Sequence, residues 1–130
     1  MKTILIVDDE PVVLKLMGLV LQRGGFKVLS AKNGLDAVYV SELHRGEIDL
    51  LISDLVMPGM DGPSLARKLW SANPSLPVLF VSGSQEGLLM SRDRPYRFLP
   101  KPFSPLALTH VVCSMLDGNH REPARLKRAV

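Results

Sequence analysis

The chain has 130 residues, 46% of them hydrophobic, with 16 Lys and Arg against 13 Asp and Glu for a net charge of +3. That length suits one domain with a true core. No apolar run nears the ~20 residues that span a bilayer, and the acids that follow Ile4–Val7 do not read as a signal peptide. The single cysteine, Cys113, can form no internal disulfide, which makes the cytoplasm the expected compartment. Part of the basic excess lies in the last ten residues, where Arg121, Arg125, Lys127 and Arg128 face only Glu122. A nucleic-acid binder concentrates such charge on one face of the fold. Neither a membrane nor a direct nucleic-acid partner is therefore expected.

In chain order, Ile4–Val7 is apolar throughout, as a strand buried on both faces should be. Pro11 then falls in a first helical turn, where its missing N–H is harmless. Val13, Leu16, Met17 and Val20 follow helical spacing, and Gly24-Gly25 predict the stop. A second strand is expected over Phe26–Ser30. Asn33 is a suitable cap for a helix that begins at Gly34 and runs to about Leu43. Leu50–Ser53 is the third strand. Gly62, Leu65, Ala66 and Leu69 mark a third helix that stops before Asn73-Pro74, with Trp70 read as packing. Val78–Val81 is the fourth strand, and a short fifth is expected near Arg97–Leu99. The last helix begins near Pro105 and carries Leu108, Val111, Val112 and Met115 on one face. Strands alternating with helices argue for a doubly wound parallel sheet covered on both faces. Residues 118–130 read as a basic flexible tail, so the predicted domain is 1–117.

Chemistry-bearing side chains fall at the strand ends. Asp8 and Asp9 follow the first strand, Asp54 closes the third, Ser82 follows the fourth and Lys101 the fifth. In an open α/β sheet, ligands bind at the carboxyl ends of the strands. Carboxylates gathered there repel one another, and a hard cation such as magnesium removes that cost. One of the acids is expected to have a raised pKa from its like-charged neighbours, and removing Asp9 is expected to relieve a metal-free protein. Pro100 and Pro102 fix the backbone around Lys101. A hydroxyl, an ammonium and a metal around one carboxylate form an electrostatic clamp for phosphoryl transfer, with the carboxylate as nucleophile.

Asp8-Asp9, Asp54 with Met57-Pro58-Gly59-Met60-Asp61-Gly62, Ser82-Gly83 and Lys101-Pro102-Phe103 together resemble the receiver domain of two-component response regulators, over about residues 2–117. The resemblance implies a flavodoxin-like fold with strand order 2-1-3-4-5. It implies Asp54 as phosphoacceptor and a histidine kinase or histidine phosphotransfer protein as donor, with a downstream protein partner. Magnesium would be held directly by Asp9, Asp54 and the Val56 carbonyl, and through water by Asp8. Ser82 would be the switch hydroxyl and Phe98 the switch aromatic. Three features depart from the family pattern. Phe98 replaces a tyrosine and cannot donate a hydrogen bond. The stretch from Ser82 to Phe98 is about a turn short, which predicts a shortened fourth helix and a partner surface on the last helix, the fifth strand and Gln85–Pro95. No output domain is expected after residue 117.

Each motif has a plainer reading by itself. Asp8-Asp9 suits the start of any helix, Ser82-Gly83-Ser84 suits a turn, and Phe98 suits a core. Three functions compete: a stand-alone phospho-accepting receiver, a receiver cut from a hybrid kinase or larger regulator or acting as a phosphorylation-independent interaction module, and an aspartyl-phosphate phosphohydrolase. Against the last, such enzymes carry a second acid two residues after the nucleophile, and Val56 stands there. The expectation is a phosphoacceptor that assists its own phosphorylation and dephosphorylation, not an enzyme.

Overall fold

A computed structural model describes residues 1–83 and 94–119, with the side chains of 118 and 119 outside that description. The expected shortened fourth helix, the segment from Gln85 to Asp93 and most of the expected tail fall outside the described residues. Five strands form one sheet: β1 (Thr3–Val7), β2 (Lys27–Ala31), β3 (Leu50–Asp54), β4 (Val78–Ser82) and β5 (Tyr96–Pro100). All pairings are parallel and the order is β2-β1-β3-β4-β5. The helices described are α1 (Pro11–Arg23), α2 (Gly34–Leu43), α3 (Gly62–Ala72) and α4 (Pro105–Ser114), the last continued by a π-helical turn, Met115–Asn119.

Alternation along the strands divides the core in two. Leu5, Val7, Leu51, Val78 and Phe80 face one cluster, completed by Ala37 of α2 and by Leu65, Ala66, Leu69 and Trp70 of α3. Ile4, Ile6, Leu50, Ile52, Leu79 and Val81 face the other, completed by Met17 and Leu21 of α1 and by Leu108 and Val112 of α4. The central strands β1, β3 and β4 are buried along their whole length. This is why their sequences read as continuous apolar runs. Trp70 is buried, and its indole N–H donates to the Leu76 carbonyl at 2.8 Å. The packing role read from the sequence is the one the structure gives it.

Two features differ from the sequence reading. Phe26 does not open β2. It completes the stop of α1: Gly25 adopts φ +93°, its N–H donates to the Gln22 carbonyl, and the Phe26 N–H donates to Leu21. This is a Schellman closure, in which the left-handed residue favours glycine. The ring of Phe26 then packs on the second core cluster. On α1, Leu16 is 57% exposed, whereas Met17 and Leu21 are buried. The helix is apolar on most of its circumference, so spacing alone did not say which side faces the sheet.

Candidate functional site

The site is built where β1, β3, β4 and β5 end. Asp8 directly follows β1, and its N–H still donates to the Ala31 carbonyl of β2 at 3.3 Å. That bond holds its side chain at the end of the sheet, where it is 0% exposed. Asp54 is the last residue of β3 and is 7% exposed. Ser82, buried, ends β4. Its carbonyl accepts the N–H of Lys101 at 2.8 Å, which ties the turn after β5 to the neighbouring strand. Beneath Asp54, Gly62 opens α3, and its N–H donates to the Leu55 carbonyl at 2.9 Å. A Cβ at Gly62 would run into the Asp54 carbonyl oxygen. Only glycine lets the start of α3 approach the end of β3 this closely.

The Lys101 ammonium joins the acids. It donates to Asp8 Oδ2 at 3.0 Å and to Asp54 Oδ2 at 3.2 Å. Glu10 Oε1 lies 3.6 Å from the same nitrogen. The other oxygens are held by backbone: the Glu10 N–H donates to Asp8 Oδ1 at 2.9 Å, and the Val56 N–H to Asp54 Oδ1 at 3.3 Å. At an effective dielectric near 20, an ion pair at ~3 Å interacts by roughly 5 kcal/mol. That attraction is of the size needed to offset the desolvation of buried carboxylates.

Burial pushes the Asp8 carboxyl above its ordinary range. The hydrogen bond from Glu10 and the hydrogen bond and charge of Lys101 pull it down, but incompletely. The acid with a raised pKa is therefore Asp8, and burial outranks the like charge of Asp54 as the cause. Burial works to lower the Lys101 ammonium, yet the hydrogen bond and charge of Asp8, with the charge and hydrogen bond of Asp54, outweigh it and leave it above its ordinary range. Both shifts favour the protonated form of their group, which suits three acids gathered around one base.

The described acids whose carboxylate oxygens all approach within 4.8 Å of one another are Asp8, Glu10 and Asp54. Asp9 is exposed at the rim and is not in that group. Glu10 stands in that group, a residue that strand-end reasoning passed over. Its signal was present in the run Asp8-Asp9-Glu10, a third acid before Pro11 at the mouth of α1. Counted ionised, three carboxylates and one ammonium leave two negative charges at the cluster. An all-oxygen donor set carrying that excess fits a hard divalent cation, and magnesium in particular.

The remaining residues singled out from the sequence lie around this centre. The Val56 peptide adjoins the Asp54 carboxylate through its N–H, while its side chain is 69% exposed. Phe98 lies in register with Phe80, half-buried against the first core cluster, with its ring three residues before Lys101. Tyr96, two residues earlier and on the same face, meets Phe80 edge-on at 5.9 Å. Beside Lys101, an apolar cavity of about 530 Å³ opens between α1 and α4, lined in part by Leu16, Val20, Phe103 and Leu108.

This fold and this cluster define a receiver. The response regulator receiver domain family matches residues 4–113, and the chain belongs to it. The sensor kinase CckA of Brucella abortus is 40% identical over 118 residues, covering 88% of this chain and 12% of that protein. The transcriptional regulatory protein GlrR of Escherichia coli is 35% identical over 117 residues, covering 88% of this chain and 26% of that protein. The chain thus spans a minor part of these relatives. Among solved structures, the receiver domain of the hybrid histidine kinase CckA superposes with a TM-score of 0.77 at 38% identity, over 88% of this chain and 98% of the other. The chemotaxis protein CheY4 of Vibrio cholerae superposes at 0.72 with 26% identity, over 86% and 96%. Among the described residues, no helix is long and apolar enough to cross a membrane.

Proposed function

We propose that Asp54 accepts a phosphoryl group from the phosphohistidine of a sensor histidine kinase or histidine phosphotransfer protein, with magnesium at the acidic cluster, and that the acyl phosphate alters a surface read by a downstream protein. The observation that carries this reading is the Lys101 ammonium bridging Asp8 and Asp54 at the carboxyl ends of the sheet. One Asp54 oxygen attacks phosphorus, the phosphorus–nitrogen bond breaks, and the electron pair leaves with the imidazole. Lys101, already on Asp54 Oδ2, stays within reach of a phosphoryl oxygen bonded to that carboxylate. Ser82, buried at the end of β4, offers its hydroxyl to another. Asp8, Asp9, Asp54 and the Val56 carbonyl would hold the magnesium, which neutralises charge on the transferring group. Movement of Ser82 would open space for the half-buried Phe98 ring. The cavity beside Lys101 and the face of α4 and β5 would then report the change.

In this reading the protein assists its own phosphorylation and dephosphorylation and acts on no other substrate. It works in the cytoplasm, contacts neither nucleic acid nor membrane directly, and serves either alone or as the receiver module of a larger kinase or regulator. The test is intact mass after incubation with magnesium and acetyl phosphate. Wild type should gain one phosphoryl group and Asp54→Ala none. No gain in wild type would make the domain a phosphorylation-independent module. Sustained turnover of ordinary phosphate esters would make it a phosphohydrolase.

A further inference from the structure

Glu10 stands at the mouth of the cluster, and its backbone and side chain do different work. Its backbone caps α1, with extended φ −95° and ψ 111°, and its side chain makes no capping bond. Its N–H is committed inward, to Asp8 Oδ1 at 2.9 Å. Its carboxylate is 64% exposed yet lies 3.6 Å from the Lys101 ammonium and within 4.8 Å of the Asp8 and Asp54 oxygens. Pro11 follows it in the first turn of α1, which limits the backbone on that side. The side chain reaches toward the Lys101 ammonium and not toward the N–H groups of its own helix, on the solvent side, where a phosphodonor would enter.

We propose that Glu10 is a specificity-determining residue of the phosphorylation site: its carboxylate strengthens cation binding and repels small anionic phosphodonors at the entrance. The proposal rests on Asp54 being a magnesium-dependent phosphoacceptor. One negative charge at one place acts with opposite sign on the two ligands of the site. It attracts the divalent cation and opposes the acyl phosphate dianion whose phosphorus must reach Asp54. Glu10 also shares the Lys101 ammonium with Asp8 and Asp54. Its removal leaves that ammonium freer to meet the incoming phosphoryl oxygens. In the reaction with acetyl phosphate, an Asp54 oxygen bonds to phosphorus, the phosphorus–oxygen bond to the acetyl group breaks, and acetate departs with the electron pair.

The opposite signs separate a charge effect from a structural one, because a distorted site would lose both ligands together. Magnesium binding is measured by calorimetry, and phosphorylation by intact mass at saturating magnesium, for wild type, Glu10→Gln and Glu42→Gln. The last removes the same charge from the exposed face of α2. For Glu10→Gln, the magnesium Kd should rise by about 3- to 10-fold, and the acetyl phosphate rate should rise by about 2- to 5-fold, effects of a partly exposed charge close to its ligand. The gain should shrink with added salt and be smaller for phosphoramidate, which carries less negative charge. Glu42→Gln should change neither quantity. Equal values in wild type and Glu10→Gln would overturn the proposal while leaving Asp54 as acceptor intact. A fall in both magnesium affinity and rate would also overturn it, since that marks a structural role. Wild-type protein that neither binds magnesium nor gains a phosphoryl group would overturn the proposal together with the reading beneath it.

Discussion

Asp8 and Asp9 are adjacent in sequence and opposite in surroundings. Asp8 is buried at the end of β1, held by a backbone N–H and by Lys101, with its pKa raised by burial. Asp9 is exposed one residue later. The same contrast separates Asp54 from Val56 two residues on. The site therefore has a floor, formed by Asp8, Asp54, Ser82 and Lys101 at strand ends, and a rim, formed by Asp9, Glu10 and Val56 where the chain leaves the sheet. Floor groups are fixed by sheet hydrogen bonds and sit where charge is expensive. Rim groups are screened by water and tune what the floor does. Substitutions in the floor should therefore change stability and chemistry together, and substitutions in the rim should change rates with little effect on the fold.

The largest effect should come from Lys101→Met. It leaves Asp8 and Asp54 buried without their cation, and breaking such a pair typically destabilises by about 3–5 kcal/mol. Because one acid can take up a proton, the loss in chelator should fall at or below the lower end of that range. Urea unfolding with and without magnesium measures it, and magnesium should restore part of the stability. Should Asp9→Asn destabilise as much as Lys101→Met, floor and rim would not be distinct.

A smaller effect should appear in the pH dependence. A carboxyl whose folded pKa is raised binds its proton more tightly in the folded state, so its contribution to stability declines as pH climbs from its ordinary 3.8 through the folded value. Lys101, also raised, contributes stability that is complete below its ordinary 10.5 and is lost as pH rises through its folded value. Metal-free wild type should thus lose stability relative to Asp8→Asn as pH rises from about 4. Thermal unfolding across acidic and neutral pH in chelator compares the two proteins.

The smallest stability change, with a clear kinetic one, should come from Val56→Asn. The Val56 side chain is exposed beside Asp54 and offers nothing to orient a hydrolytic water. An amide there should speed loss of the acyl phosphate by about threefold or more, well short of a positioned general base, and should leave unfolding unchanged within ~0.5 kcal/mol. Decay of the phosphorylated protein followed by mass would show it. Unchanged or slower loss would remove Val56 from the path of the water.

The floor could be read from the sequence because each of its members ends an apolar run. A run buried on both faces is continuous, and the polar residue that stops it marks the strand end. Asp8, Asp54 and Ser82 announce themselves in this way, and the proline pair brackets Lys101. The rim could not be read so simply. Whether Asp9 or Glu10 turns its carboxylate toward Lys101 depends on the entry of the chain into α1, where an extended cap residue precedes Pro11. A run of three acids does not specify that rotation. The facing side of α1 was hidden for a related reason: Val12, Leu16 and Leu19 are apolar and exposed, so hydrophobicity alone did not single out Met17 and Leu21. The one-residue offset of β2 came from Phe26, a β-favouring residue whose backbone N–H closes α1 instead.

The most direct test of the division between floor and rim locates the phosphoryl group itself. Wild-type protein phosphorylated with magnesium and acetyl phosphate is reduced with borohydride, which converts an aspartyl phosphate to homoserine, and its peptides are sequenced by mass spectrometry. Homoserine at position 54 alone, absent from unphosphorylated protein treated in parallel, is the predicted result. Reduction at position 8 or 9, or of the Glu10 side chain, with Asp54 unchanged would contradict it.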